Sequence, residues 1–185
     1  MNNYLISTDT DKKKLARPLQ WDKHTKNWKS KWDVIEFIPY QYTKENIDKV
    51  YSLVKNNLSN DLLTDKYKLV KDNPMYGHCT HASQAIFWLV DTAYFIPMRG
   101  QDITGEYHWW LLDTHTNQII DATSDQFNMF DYSPPYENGK KTPWHTWKQI
   151  PKKQTLDLIQ KILQPCVRYN VADPYTDYAT LEPFL

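Results

Sequence analysis

The chain has 185 residues, a length typical of one domain that buries its own core without disulfides or metal ions. It carries 22 basic and 22 acidic residues, and this balance excludes a global field that would draw it to nucleic acid or to a membrane. Two cysteines are too few for a disulfide framework, and no apolar run approaches the roughly 20 residues that span a bilayer. These counts predict a soluble protein of a reducing compartment.

The N-terminal part of the chain gives few periodic signals. Residues 1–33 are polar and predict an arm that packs on the core, whereas residues 34–185 predict a single domain. The run Val34–Tyr40 is typical of a strand. Apolar residues then recur at helical spacing, which predicts a helix with Thr43 as its N-cap.

A second helix is predicted from about His78 to Val90. Ala82, Ile86 and Leu89 belong to an apolar stripe at helical spacing, which is typical of a buried helix face. Cys79 falls on the same inward face, in the first turn of this helix. The sequence therefore predicts a buried thiol at a helix N-terminus.

The pattern then changes to the two-residue period of strands. Strands are predicted at Thr92–Arg99, Tyr107–Leu112 and Gln118–Ala122, followed by a loop rich in proline and aromatics and by a last helix. Helices that precede an antiparallel sheet indicate the α+β class. By the strand alternation Trp110 shares a face with His108, so we expect Trp110 to line a cleft beside it.

A cysteine nucleophile needs a base, and the base needs a third group that fixes its tautomer. If the last two strands pair about a turn centred between Thr114 and His115, His108 lies directly opposite Asp121, within side-chain hydrogen-bonding distance. This register predicts a Cys79, His108 and Asp121 triad.

Other roles are open for these side chains. Asp121 could instead cap the turn that follows it, and Asp113 and Asn117 are rivals for the orienting role. Gln126 is expected to pack and hydrogen-bond against the strand that carries the site. Cys166 has no accompanying motif and is interpreted as filler of the core.

Three segments in order carry a family resemblance. The segments Gly77-His78-Cys79, Tyr107-His108 and Ile120–Phe127 resemble those of the YunG-like family of small bacterial and phage proteins. That family belongs to the papain/transglutaminase-like superfamily, whose His-x-Trp and Asp-x-Thr pattern is similar to the runs that begin at His108 and Asp121 here. The chain departs from the family at His78, where glutamine is usual.

The resemblance implies a papain/transglutaminase-like fold in which Cys79 attacks, His108 acts as base and Asp121 orients the imidazole. By analogy with papain-like enzymes, Asn73, six residues before the cysteine, is expected to donate to the oxyanion. The implied reaction is amide or isopeptide hydrolysis, deamidation or acyl transfer, without a cofactor. Expected substrates are peptides, proteins or peptidoglycan-like amides, and the expected location is the cytoplasm of a bacterium or of a phage-infected cell.

Two alternatives remain at this level. One is an inactive protein of the same fold that binds a peptide in an aromatic-lined cleft. The other is a zinc site built from His78, Cys79, His81 and His108, which is disfavoured because adjacent His-Cys ligands suit tetrahedral zinc poorly and no Cys-x-x-Cys pair is present.

Overall fold

The computed structural model describes residues 12–18, 21–22, 27–28, 32–68, 73–142, 151–163 and 166–171. It is an α+β protein with antiparallel sheets, and the chain divides into two compact units. One unit comprises Met1–Ile38 with Pro165–Leu185, and the other comprises Pro39–Gln164. The arm predicted for residues 1–33 falls largely outside the described residues and stays a prediction.

The first unit is built on an antiparallel sheet with the strand order β1-β4-β11. Asp33 on the central strand pairs with Arg168 at 2.6 Å, and Glu36 accepts a hydrogen bond from the Tyr169 hydroxyl. Two short strands of the same unit, β2 and β3, pair with each other in an antiparallel arrangement. The strands are β1 (Lys13–Pro18), β2 (Trp21–Asp22), β3 (Asn27–Trp28), β4 (Trp32–Phe37) and β11 (Val167–Val171).

The second unit packs helices against an antiparallel sheet of order β10-β7-β8-β9, with a short parallel pair, β5 and β6, beside them. Its strands are β5 (Tyr40–Gln41), β6 (Val90–Asp91), β7 (Phe95–Gln101), β8 (Tyr107–Asp113), β9 (Gln118–Ile120) and β10 (Lys140–Lys141). Its helices are α1 (Lys44–Asn56), α2 (Asp65–Lys68), α3 (Cys79–Leu89) and α4 (Lys153–Ile162), with 3-10 turns at Asn60–Leu62 and Ser124–Met129.

The predicted N-cap of α1 is confirmed. The Thr43 hydroxyl accepts a hydrogen bond from the backbone N–H of Asn46 at 3.2 Å, which satisfies one of the amides that a helix start leaves without a partner. Val50 and Val54 are fully buried on one face of α1. The helical spacing in the sequence thus corresponds to a core-facing stripe.

Helix α3 is the central element of the second unit. Its apolar side chains Ala82, Ile86 and Leu89 are fully buried, as the stripe predicted. Its polar side chains fasten neighbours, because the Ser83 hydroxyl donates to a backbone carbonyl of β8 at 3.0 Å. The side-chain oxygen of Gln84 accepts from the backbone N–H of Lys152 and from the Thr155 hydroxyl, at the start of α4. These bonds fix α3 between β8 and α4.

The predicted register of the β8–β9 hairpin is wrong by two residues. Leu111 faces Ile120 and Asp113 faces Gln118, so His108 is not directly opposite Asp121. The connection is a four-residue turn that ends at Asn117 in the left-handed region, with φ of 57°, and this moves its centre one residue along the chain. A shift of two residues preserves the alternation of faces, which a shift of one would have reversed.

Within the described ranges, none of the helices has the length and apolar character needed to cross a membrane.

Candidate active site

Cys79 is the first residue of α3. Gly77, with φ of +83°, turns the chain into the helix, and the first turn leaves its backbone N–H groups without carbonyl partners in the helix. The partial positive charge of a helix N-terminus favours a thiolate over a thiol. The side chain is nearly buried, with its sulfur 3.9 Å from the carbonyl oxygen of Tyr107 on β8.

His108 lies on β8 with its imidazole almost completely buried. Its Nε2 is 2.6 Å from Oδ2 of Asp121, and its Nδ1 is 3.0 Å from Nε2 of Gln126. Phe127 meets the ring edge-on and Trp110 stacks behind it. Hydrogen bonds therefore fix both ring nitrogens, and aromatic contacts fix the ring plane.

Asp121 follows directly after β9, and each of its oxygens has more than one function. Its Oδ1 accepts from the backbone N–H and the hydroxyl of Thr123, both at 2.9 Å. Its Oδ2 accepts from the Tyr136 hydroxyl at 2.8 Å in addition to His108. The carboxylate thus caps the following turn and orients the imidazole at the same time, so the two interpretations of Asp121 from the sequence are compatible.

The ionisation of this pair follows from its burial and partners. Burial alone would lower the pKa of His108, but the hydrogen bonds and charges of Asp121 and Cys79 outweigh it and raise the pKa to about 9. Burial opposes ionisation of Asp121, yet the bonds from His108, Thr123 and Tyr136 hold its pKa below the usual value. These directions favour an imidazolium beside a carboxylate, with Cys79 as a second side chain that raises the pKa of the ring.

The neutral form of the ring is equally well defined. A carboxylate only accepts, so Asp121 holds a proton on Nε2 of His108. In the neutral ring the Gln126 amide N–H donates to the single lone pair of Nδ1, and Gln126 must release this bond before Nδ1 can take a thiol proton. This is the tautomer that a base for Cys79 requires.

Cys79 and His108 open into a cleft of about 310 Å³, near the lower end of the range for small-molecule sites. Aromatic side chains form much of its lining. The residues around it are Leu62, Thr64, Tyr67, Tyr76, Gly77, Cys79, Thr80, His81, Asp102, Glu106, Tyr107, His108, Trp109, Gln126, Phe127, Phe130, Lys152 and Gln154.

Two side chains lie elsewhere than expected from the sequence. Trp110 is 2% exposed and packs between His108 and Tyr136, while Trp109 lines the cleft instead. His108 and Trp110 share the buried face of β8. The alternation that pairs these two side chains therefore puts Trp110 in the core and not in the cleft. Asn73 is also buried outside the lining, and its amide donates to the carbonyl of Gln126 at 2.7 Å. Asn73 thereby fixes the segment that carries Gln126.

The rival orienting residues are occupied at the hairpin turn. Asp113 accepts from the Tyr42 hydroxyl at 2.7 Å and from the backbone N–H of His115. Asn117 is an exposed turn residue. Among the residues that the structure describes, no group of three or more His, Cys, Asp or Glu side chains could hold a metal ion.

Two side chains at this site carry no signal in the sequence. Tyr136, which donates to Asp121, comes from a loop rich in proline and aromatics that has no periodicity. Lys152 reaches the cleft from the start of α4, far along the chain. His81, two residues after Cys79, also lines the cleft, and from the sequence it was considered only as a candidate zinc ligand.

Comparison of the chain with family models, with curated proteins and with solved structures finds no match in any of the three.

Proposed function

We propose that the protein is a cysteine-dependent enzyme that cleaves or transfers amide bonds, with Cys79 as nucleophile, His108 as base and Asp121 as the orienting carboxylate. The observation that carries this proposal is the buried His108, whose Nε2 is held by Asp121 at 2.6 Å, while Cys79 lines the same cleft as His108 and raises the pKa of its ring. Each group has the neighbour that its role requires.

The order of elements supports the finer assignment to a papain/transglutaminase-like fold. The thiol begins a helix that packs on an antiparallel sheet, and the imidazole and carboxylate come from that sheet and its end. The motifs that resemble the YunG-like family contain these same three residues. The proposed fold and the proposed triad therefore depend on one arrangement.

The proposed reaction proceeds through a thioester. The sulfur of Cys79 attacks the carbonyl carbon of an amide, and the negative charge moves to the carbonyl oxygen. The backbone N–H of Cys79, at the start of α3, is the proposed donor to that oxygen. His108 then gives its proton to the departing amine as the carbon–nitrogen bond breaks. Water completes hydrolysis or deamidation, and a second amine completes acyl transfer.

Alkylation by iodoacetamide between pH 5 and pH 8 tests the proposal, with Cys79 and Cys166 followed separately by mass spectrometry. Cys166 is an internal reference, because burial raises the pKa of its thiol. We expect Cys79 to react rapidly even near pH 6, and His108→Ala to abolish that advantage. An exposed His115→Ala variant is the matched control and should react like the wild type.

A Cys79 that reacts only after unfolding, or no faster than Cys166 at pH 6, would contradict the proposed chemistry. That result would favour a protein that keeps the fold and binds a peptide without turnover. A fast reaction that does not depend on His108 would also contradict the triad, because the helix N-terminus alone would then account for the thiolate.

A further inference from the structure

A second pair of histidines lies directly beside the proposed nucleophile. Nδ1 of His78 is 2.7 Å from Nε2 of His81, and both rings are almost fully buried. Burial lowers the pKa of His78 to about 4 and that of His81 to about 3, so both rings are neutral near pH 7. One proton therefore lies between Nδ1 of His78 and Nε2 of His81, and it is bonded to one of these two nitrogens.

The environment of His78 decides which ring holds that proton. Nε2 of His78 is buried without a hydrogen-bond partner. A buried N–H without an acceptor is costlier and rarer than a bare acceptor, so Nε2 of His78 carries the lone pair. Its proton then lies on Nδ1 and is donated to Nε2 of His81. Consequently His81 carries its own proton on Nδ1, and the ring lines the cleft.

Lys152 lines the same cleft and is close to both neighbours. After burial and His78, the positive charge of Lys152 lowers the pKa of His81 further. Burial lowers the pKa of Lys152 itself, and Cys79 acts in the opposite direction and raises it. Among the described residues no carboxylate is paired with Lys152. By contrast, the carboxylates that line the cleft are already engaged: Glu106 pairs with Lys66 at 3.0 Å, and Asp102 accepts from Thr104 and Tyr132.

Within the described part of the chain, the cleft lining thus includes three kinds of hydrogen-bond donor: the Lys152 ammonium, the Nδ1–H of His81 and the N–H groups in the first turn of α3. We propose that His81 and Lys152 form a subsite for a carboxylate of the substrate, beside Cys79. This subsite rests on the proposed function. It narrows the proposed substrates to amides that carry a carboxylate close to the bond that is attacked. A free α-carboxylate and an acidic side chain share this chemistry.

Two alkylating reagents of nearly equal size test the subsite. Iodoacetate carries a carboxylate and iodoacetamide is its neutral counterpart, and at Cys79 both react with the thiolate rather than with the thiol. The ratio of their rate constants therefore cancels any change in the thiolate fraction and reports the attraction of the anion alone. We expect Lys152→Gln to lower this ratio about fivefold, which corresponds to about 1 kcal/mol.

Lys152→Arg should retain most of the ratio because it keeps the charge. Lys153→Gln, which removes a neighbouring exposed lysine that pairs with Asp157, is the matched control and should leave the ratio unchanged. Added salt should lower the wild-type ratio towards that of Lys152→Gln.

The outcomes separate the two proposals. A reactive Cys79 whose ratio is the same in wild type and Lys152→Gln would overturn the carboxylate subsite and leave the proposed triad intact. An equal decrease of the rate ratio in Lys153→Gln would overturn the carboxylate subsite as well, because the anion would then be attracted by the general positive charge of the surface. No labelling by either reagent in the folded protein would overturn both the subsite and the triad.

Discussion

At the scale of single residues, the Asp121 carboxylate decides how His108 can act. Its two oxygens accept four hydrogen bonds from His108, Thr123 and Tyr136, and the residue is 5% exposed. Burial and the nearby carboxylate raise the pKa of the Tyr136 hydroxyl. The hydroxyl therefore stays protonated and acts as a hydrogen-bond donor to Asp121. A charge held in this way is stable in the core because every lone-pair direction is used.

Replacing Asp121 by asparagine tests this role with little change in shape. We expect Asp121→Asn to lower the pKa of His108 and to slow the alkylation of Cys79 at pH 6 by at least about tenfold, because one pKa unit corresponds to a tenfold change in population. Asp125→Asn is the control, since Asp125 is exposed and pairs with Lys55. Rates within twofold of the wild type would show that Asp121 only caps its turn.

At the scale of elements, the entry to α3 depends on Gly77. Its φ of +83° lies in the left-handed region, and a Cβ there would be 2.6 Å from Cγ of Tyr67. Gly105 has the same φ but nothing within 4 Å of a built Cβ. The two glycines therefore separate the cost of the backbone conformation from the cost of crowding.

Substitution of each glycine by alanine should lower the free energy of unfolding by different amounts. We expect Gly105→Ala to cost about 1 to 2 kcal/mol for the left-handed backbone. Gly77→Ala should cost about 1 to 3 kcal/mol more, because the new methyl group overlaps the Tyr67 ring. Urea unfolding measures both values. Equal losses would show that Tyr67 moves aside freely and does not define the start of α3.

The elements also show which parts of the fold could be predicted from the sequence. The stripe of α3 and the N-cap at Thr43 are local patterns, and both were predicted correctly. The hairpin register was not, because the turn after Asp113 has no Asn-Gly signal and its left-handed residue is Asn117. The side chain of Asp121 still reaches His108 because the error was an even number of residues.

The site was predictable to the extent that its residues carry motifs. Cys79, His108 and Asp121 stand in ordered motifs, and the structure brings them into one cluster. Tyr136 and Lys152 come from segments without periodicity, and only tertiary packing brings them to the cleft. Trp110 was predicted to line the cleft, but Trp109 lines it instead. Alternation identifies the two faces of a strand but does not show which face meets the open cleft.

At the scale of the whole molecule, buried histidines set the dependence of stability on pH. The folded pKa values of His78 and His81 are lowered to about 4 and about 3, below the usual 6.5. Below pH 6.5 the unfolded chain therefore binds protons that the folded chain excludes, and the free energy of unfolding decreases as the pH is lowered. The pKa of His108 is raised to about 9, so its contribution is complete below pH 6.5 and is lost as the pH rises through about 9.

As the pH is lowered from 6 to 4, we expect His78 and His81 each to decrease the free energy of unfolding by about 1.4 kcal/mol per pH unit. His78→Gln removes one titrating group and should reduce the slope by that amount, whatever it does to the stability at pH 7. His115→Gln, at an exposed position, should leave the slope unchanged. A slope that is the same in His78→Gln and wild type would show that His78 accepts a proton in the folded state.

The proposed chemistry requires Cys79 and His108 to form an ion pair oriented by Asp121, and nuclear magnetic resonance of the His108 ring nitrogens can detect that pair. We expect His108 to titrate with a pKa of about 9 and Cys79→Ala to lower this value by more than one unit, while Cys166→Ala leaves it unchanged. A His108 that titrates near 6.5 in the wild type, or whose pKa is the same in Cys79→Ala, would contradict the ion pair and with it the proposed nucleophile.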